Sequence, residues 1–243
     1  METDAAQPAP RTQQESGCET EGVGTRGTDD PTEPDLDQIT PVAQDYLKVI
    51  WSATEWGDPP ITSTALANRF GTSVANVTDT VKRLAQLGLV THKPYKPIYL
   101  TPIGTRYAVA MVRRHRLLET FLVDKLGYGW DEVHNEAERL EHAATSTLID
   151  RIDAALGHPV SDPHGDPIPD RNGVTHKPTN AVRLSEAGAG SWTVIRVSDA
   201  DPDVLARAER LGLSPRRRAD INENIKSDRE LGAAIWVVPY DSD

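Results

Sequence analysis

Two histidines and two glutamates in the segment from His134 to His142 are spaced to share one face of a helix. In an α-helix His134, Glu138 and His142 lie at positions i, i+4 and i+8, and Glu141 lies at i+7, so their side chains project to one side. Nitrogen and oxygen donors without a thiolate suit a divalent ion such as manganese or iron(II). The segment therefore predicts a metal site, with an ordinary solvated helix face as the competing interpretation.

A second pair of donors favours the metal site. His115 and Glu119 lie four residues apart in a long helix predicted over 102–126. That spacing lets both side chains reach one ion, although an ordinary His–Glu ion pair has the same spacing. His158 and His164 lie further on, in a proline-rich loop. The density of proline there favours a rigid connector over another metal site.

The elements that would position these donors begin near residue 39. A helix starts at Thr40-Pro41, and two short helices joined by a turn at Gly71 follow, with Ser63 and Ser73 as candidate N-caps. Two short strands around a tip with lysines and prolines then complete the pattern of a winged helix-turn-helix. The residues expected to contact DNA bases and phosphates are Ser73, Asn76, Thr78, Thr80, Lys82, Arg83, Lys93 and Lys96.

Charge is distributed unevenly along the 243 residues. Residues 1–38 contain ten acidic residues and two arginines, whereas residues 39–120 contain ten Lys and Arg against five acidic residues. A basic island in a chain of net charge −11 is typical of a nucleic-acid-binding segment. The near absence of aliphatic residues in 1–38 predicts a disordered acidic tail.

Cysteine content and hydropathy exclude several classes of protein. The single Cys18 permits no disulfide framework, and no signal peptide is recognisable, which together predict a cytoplasmic location. No run of about 18 apolar residues is present, so no membrane partner is expected. A metallohydrolase is disfavoured because the inverted zinc-protease motif needs a histidine where Glu138 stands. The sequence has no apparent nucleophile–base pair, and we expect no small-molecule substrate.

The C-terminal part is predicted to be a small β-rich module over 188–243, preceded by a linker over 171–187. Strands are expected at 192–197, 219–221 and 234–238, with a helix at 203–211 and a polar turn at 222–230. The helix with the His134–His142 donors is expected to continue to Leu156.

These motifs in this order resemble the diphtheria toxin repressor family of metal-activated transcriptional repressors, and within it the manganese-sensing branch. The resemblance rests on residues 42–50, the helix-turn-helix, and the motifs Arg114–Glu119, Val133–His142 and Asp162–Pro169. It implies a mainly α fold. The expected parts are a winged helix-turn-helix domain at 39–108, a helical metal-binding and dimerisation domain at 109–170, and a shortened SH3-like domain at 188–243.

The resemblance also implies which residues bind metal. The family's primary site matches Asp45, Glu138, Glu141 and His142, and its ancillary site matches His115, Glu119 and His134, with Asp199 as a further candidate. Carboxylates at positions 45 and 138, where iron-type members have Met and Cys, favour Mn²⁺, with Fe²⁺ as the second choice. Lys48 stands where some manganese regulators have a Glu, which argues against a two-manganese cluster.

The implied function is a homodimeric repressor that binds double-stranded operator DNA and controls genes of metal-ion homeostasis. It is not an enzyme under this interpretation. A metal-independent winged-helix regulator is the alternative, and the two differ in whether a chelator abolishes DNA binding.

Overall fold

The computed structural model describes residues 34–93 and 96–240, without the side chains of Glu223 and Asn224. Most of the acidic tail expected at 1–38 lies outside the described residues. Its last part does not fit that expectation, because Leu36–Gln38 forms a 3₁₀ turn and Leu36 is buried in the first hydrophobic core. No helix in the described ranges is both long enough and apolar enough to cross a membrane.

The first part of the described chain is a winged helix-turn-helix. Its helices are α1 (Pro41–Glu55), α2 (Ser63–Arg69) and α3 (Val74–Gln86), and its wing is the antiparallel pair β1 (Val90–His92) and β2 (Ile98–Leu100). The side chains of Thr40 and Ser73 cap α1 and α3 as predicted. Thr62 rather than Ser63 caps α2, because its hydroxyl accepts from the backbone N–H of Ala65.

Helix α4 (Pro102–Leu126) runs without interruption through the domain boundary expected at 108. Its first half buries Tyr107 and Met111 in the winged-helix core, and its second half buries Leu117 and Leu122 in a second core with the next two helices. Both parts of the molecule are therefore built on one continuous helix.

The helix after α4 ends sooner than predicted. Helix α5 spans Val133–Glu141 and helix α6 spans Ser146–Leu156, so the single helix expected to reach Leu156 is wrong. Thr145 causes the break, because its extended backbone and hydroxyl form the N-cap of α6. His142 is the C-cap of α5 and keeps right-handed helical dihedral angles, so the donor spacing of the segment survives.

The C-terminal part folds as a small antiparallel sheet with its own core. Its strands are β3 (Val182–Arg183), β4 (Gly190–Val197), β5 (Arg218–Ile221) and β6 (Ile235–Pro239), in the spatial order β3-β6-β4-β5. The expected linker ends earlier than predicted, since β3 and the buried Leu184 and Ala187 belong to this sheet and its core.

Three helices accompany the sheet: α7 (Pro202–Arg210), α8 (Glu223–Ser227) and α9 (Arg229–Ala234). Helix α8 and the start of α9 lie where a polar turn was predicted at 222–230. Asn222 and Asp228 are polar because they are the N-caps of α8 and α9, and Leu231 is buried in the core of the sheet.

The loop after α6 docks on strand β4 through backbone contacts. The N–H of Val197 donates to the carbonyl of His164 at 2.9 Å. Gly165 has a φ of +89°, and a Cβ at this position would lie 1.8 Å from the carbonyl oxygen of Ile195. Only glycine allows so close an approach. This contact brings loop 158–170 and the end of β4 to the same side of α4.

Candidate metal centre and DNA interface

Among the described residues, three groups of His and carboxylate side chains each lie close enough to share an ion. Within each group the donor atoms lie within 4.8 Å of one another. The first donor group is Asp45, Glu141 and His142; the second is His115, Glu119, His134 and Asp199; the third is Glu119, Asp162 and His164. Glu119 belongs to two of them, so the second and third groups adjoin.

The first donor group joins helix α1 to the end of helix α5. Asp45 Oδ1 lies 3.0 Å from His142 Nε2, and the other ring nitrogen of His142 lies 2.8 Å from Gln44 Oε1. Glu141 is fully buried, and its Oε2 lies 2.5 Å from His115 Nδ1 in α4. The predicted residues Asp45, Glu141 and His142 therefore do meet, across the boundary between the winged helix and the helical part.

Glu138 is not brought into the first donor group. Its Oε1 lies 3.6 Å from Lys48 Nζ and 3.4 Å from His134 Nε2, and its side chain is 46% exposed. The hydrogen bond with His134 lowers the pKa of Glu138 to about 2. This carboxylate is thus ionised at neutral pH and lies at the open edge between the first and second groups.

The second donor group gathers the residues predicted for the ancillary site. Glu119 Oε1 lies 2.9 Å from His115 Nε2 and 3.1 Å from His134 Nδ1. Asp199, just after β4, brings its Oδ2 to 2.9 Å from His134 Nδ1. Burial opposes protonation of His134, but hydrogen bonds with Asp199, Glu119 and Glu138 raise its pKa to about 12.

The third donor group contains two residues that the sequence-based assignment missed, Asp162 and His164. His164 Nε2 lies 2.6 Å from the carbonyl oxygen of Trp130, so this nitrogen carries the proton of the neutral ring. His164 Nδ1 then faces Glu119 Oε2 at 3.6 Å, which is too long for a hydrogen bond. A histidine in the proline-rich loop could have indicated this donor group, but the density of proline there favoured a rigid connector.

The donor atoms fit a bound cation. Glu119 Oε2 and His164 Nδ1 are buried and have no hydrogen-bond partner among the described residues. The Glu119 carboxylate outweighs burial and raises the pKa of His164 to about 10, so the metal-free ring is protonated at neutral pH. Buried polar atoms without partners are rare, and a metal ion that displaced the Nδ1 proton would satisfy both atoms. Burial and the neighbouring Asp166 and Glu119 raise the pKa of Asp162 to about 8, although the nearby Arg116 opposes the shift, as expected for carboxylates crowded together.

A buried set of arginines and tryptophans fastens the C-terminal sheet to α1 and α4. Arg116 in α4 pairs with Glu55 at the end of α1 at 2.5 Å. Arg196 in β4 donates from Nε to Asp166 at 2.6 Å, and its guanidinium carbon lies 4.9 and 4.4 Å from the ring centroids of Trp56 and Trp236. The sheet that holds Asp199 is thus held against the end of α1.

The predicted DNA-contact residues all lie on α3 or at the wing. Asn76, Lys82 and Arg83 are exposed on α3, opposite or beside the buried Val77 and Val81. The hydroxyl of Ser73 accepts from a backbone N–H as the N-cap of α3, and the hydroxyl of Thr78 donates to the carbonyl of Val74 at 2.7 Å.

The remaining predicted contacts are Thr80, half-buried on α3, and the wing lysines. Lys93 and Lys96 are exposed on either side of the wing tip, whose residues 94 and 95 are not described. The exposed groups on α3 and the wing form a polar and cationic surface suited to nucleic acid.

Comparison with known families identifies matches to both the winged-helix and the helical parts. Residues 38–98 match the N-terminal DNA-binding domain of the iron-dependent repressors, and residues 101–170 match their metal-binding and dimerisation domain. The iron-dependent repressor IdeR of Mycobacterium tuberculosis is 32% identical over 228 residues, which cover 83% of this chain and 99% of that protein.

Similar solved structures cover most of the chain as well. One is a manganese-dependent transcriptional repressor in complex with manganese, with 42% identity and a TM-score of 0.72 over 82% of this chain and all of the other. Another is the manganese regulator SloR, with 27% identity and a TM-score of 0.67 over 82% of this chain and 99% of the other.

Proposed function

We propose, from the premise that this chain belongs to the iron-dependent repressor family, that the donor groups described above make its DNA binding depend on a divalent metal. The known members with which it aligns are transcriptional repressors, and the chain is accordingly a DNA-binding repressor rather than an enzyme. The metallohydrolase alternative is therefore set aside. We further propose that it acts in the cytoplasm on metal-homeostasis genes.

The contact between Asp45 and His142 carries the proposal. Asp45 belongs to the winged-helix domain and His142 to the helical part, and their side chains lie 3.0 Å apart beside the buried Glu141. These two carboxylates and the imidazole can share one cation only while α1 and α5 keep their present relative position. These residues therefore link the position of α1 to that of α5. Through α1 they also link α5 to α3, the helix with the predicted DNA contacts.

Lys48 Nζ lies 2.6 Å from Glu141 Oε1, and a bound divalent ion would add the further positive charge that the neighbouring Asp45 and Glu141 carboxylates call for. With both carboxylates neutralised, Asp45 and His142 would hold α1 against α5, and Glu119 and Asp199 would hold the sheet beside α4. The winged helix then has one orientation relative to the dimerisation part, and two α3 helices of a homodimer enter successive major grooves. Metal binding would thus shift the population of conformations toward the one in which the winged helix has this orientation.

Manganese is the ion we propose, with iron(II) second. Oxygen and imidazole donors without thiolate favour Mn²⁺ over softer ions. The 42%-identical repressor was solved with manganese, whereas the mycobacterial relative is an iron-dependent repressor, so likeness alone supports both. The preference rests on Asp45, a carboxylate within the first donor group, since Glu138 lies outside that group.

The test is DNA binding measured by fluorescence anisotropy, with a target selected from random duplexes in the presence of Mn²⁺. We expect binding in Mn²⁺ and its loss in chelator, with Fe²⁺ (under anaerobic conditions) and Co²⁺ compared at equal free concentration. The double variant Asp45→Ala/Glu138→Ala should lose the metal response. The control Asp124→Ala/Asp203→Ala removes two exposed carboxylates elsewhere and should keep it.

Two outcomes would contradict the proposal. Binding that is equally tight in chelator would identify a metal-independent winged-helix regulator. A full metal response in the Asp45→Ala/Glu138→Ala variant would mean that the regulatory site lies elsewhere in the chain.

A further inference from the structure

We propose that Gln44 positions His142 for metal binding, by holding the proton of the neutral imidazole on Nδ1 and so leaving Nε2 free for an ion. Gln44 lies on α1 immediately before Asp45 and is only 4% exposed. The inference rests on the proposed function, because it concerns how one residue of the first donor group is held. It adds to the metal centre a residue that itself binds no ion.

The backbone at the start of the described chain fixes the orientation of the Gln44 amide. Its Nε2 lies 2.8 Å from the carbonyl oxygen of Leu36 and 3.1 Å from that of Ile39, so both of its N–H groups have an acceptor. Turning the amide over would place Oε1 against two carbonyl oxygens, with no hydrogen between them. The amide oxygen must therefore point away from these carbonyls, toward His142.

That oxygen determines the tautomer of His142. Gln44 Oε1 lies 2.8 Å from His142 Nδ1 and can only accept, so Nδ1 must carry a proton. The neutral ring then has its lone pair on Nε2, which lies 3.0 Å from Asp45 Oδ1 and 3.8 Å from Glu141 Oε1. Gln44 thus presents the ligating nitrogen on the side where the carboxylates of the first donor group meet.

The carbonyls that hold Gln44 are themselves held in place. Leu36 is buried in the winged-helix core, and the hydroxyl of Tyr107 in α4 donates to the side-chain oxygen of Gln38 at 3.2 Å. The turn Leu36–Gln38 and the first donor group are therefore joined through one side chain. Methionine would fill a similar volume but could neither donate to the turn nor accept from His142, so it separates packing from positioning.

Nitrogen NMR of ¹⁵N-labelled protein reports the tautomer directly, with ¹¹³Cd²⁺ as a diamagnetic probe ion. In the wild type we expect one-bond coupling between ¹¹³Cd and Nε2 of His142, with a proton on Nδ1. In Gln44→Met we expect this preference to be lost. The His142 signals are identified by their absence in His142→Gln.

Calorimetric titration with Mn²⁺ measures the consequence for affinity. The step that belongs to the first donor group is identified by its loss in Asp45→Ala. We expect Gln44→Met to weaken this step by about tenfold to a hundredfold, as for other residues that orient a ligating histidine. The matched control Gln86→Met changes an exposed glutamine at the end of α3 and should behave as the wild type.

Gln44→Glu separates the two ends of the side chain. An ionised carboxylate still accepts from His142 Nδ1 but offers no N–H to the carbonyls of Leu36 and Ile39. We expect this variant to keep the coupling of ¹¹³Cd to Nε2. It should unfold at a lower urea concentration than the wild type, because two backbone carbonyls lose their donor.

Coupling of ¹¹³Cd to Nδ1 of His142 in the wild type would overturn the inference without any variant. It also fails if Gln44→Met folds, as judged by circular dichroism, and keeps both the wild-type tautomer and the wild-type affinity for Mn²⁺. If Gln44→Met does not fold, the spectra of the wild type and of Gln44→Glu decide. DNA binding that ignores metal would contradict the proposed function instead, and the cadmium-loaded protein would still report the tautomer of His142.

Discussion

Asp199 Oδ2 lies 2.9 Å from His134 Nδ1, which joins the end of strand β4 to helix α5. Through this pair the C-terminal sheet contributes directly to the second donor group. The sheet therefore supplies a donor residue to the candidate metal centre.

Asp199→Asn should weaken manganese binding at the second donor group by about tenfold to a hundredfold, because an amide oxygen lacks the charge of a carboxylate. Calorimetric titration with Mn²⁺ measures the effect. Asp203→Asn is the matched control, since Asp203 is an exposed acid on the neighbouring α7. Equal affinities for the two variants would remove Asp199 from the donor group.

Manganese binding should release a proton from His134. Hydrogen bonds with Asp199, Glu119 and Glu138 overcome the effect of burial and raise the pKa of His134 to about 12, so the metal-free ring is protonated at neutral pH. A ligating imidazole must be neutral, and affinity for Mn²⁺ should therefore rise with pH between about 6 and 8. Titrations in two buffers of different ionisation enthalpy measure the released protons. Identical heats in both buffers would contradict this protonation state.

The Asp199–His134 pair should contribute most to the stability of the metal-free protein in mildly acidic solution. The pKa of Asp199 lies below its ordinary value, because the hydrogen bond and charge of His134 outweigh burial, so its contribution is lost as the pH falls below about 4. The raised pKa of His134 gives a contribution that is complete below about pH 6.5 and declines as the pH rises toward about 12. Urea unfolding against pH should show both declines. Asp199→Asn should reduce them, and an unchanged profile in that variant would count against the pair.

Gly165→Ala should destabilise the docking of loop 158–170 on β4 by about 2–4 kcal/mol, since it combines a backbone clash with a positive φ. The added Cβ would lie 1.8 Å from the Ile195 carbonyl oxygen, whereas a Cβ at Gly188 meets nothing within 4 Å. Urea denaturation of Gly165→Ala and Gly188→Ala compares the two. If both lose the same free energy of unfolding, the close approach of the loop is not required.

Lys93→Ala and Lys96→Ala should each reduce the dependence of DNA affinity on salt by about one unit of the logarithmic slope, as expected for loss of one phosphate contact. Both lysines are exposed at the wing. Anisotropy titrations at several salt concentrations provide the slopes, with Lys125→Ala as the control. A slope that matches the control would place the wing away from the DNA backbone.

Much of the fold could be predicted because its signals are local. Cap residues and apolar spacing located α1, α3 and α4 within a few residues, and the i, i+4 spacing paired His115 with Glu119. Local signals gave a wrong prediction where polar residues cap helices instead of forming a turn. Asn222 and Asp228 indicated a turn, yet they cap two short helices that end against the core of the sheet.

The candidate centre was predictable only in part, because several of its contacts join distant segments. Asp162 and His164 reach Glu119 because their loop docks on β4, and that docking depends on Gly165. Lys48 meets Glu141 across 93 positions of sequence. Spacing rules describe one helix at a time and hold no information on how α1 packs against α5.

Helix α4 restricts where this chain can be divided. It serves the winged-helix core through Tyr107 and Met111 and the helical core through Leu117 and Leu122, so a cut anywhere along it exposes apolar surface on both sides. Chimaeras that exchange the DNA-reading module of one repressor for that of another would therefore need to carry the whole of Pro102–Leu126 with the helical part and rebuild its packing against the new α1. DNA recognition and the response to metal could therefore not be exchanged independently without repacking this helix.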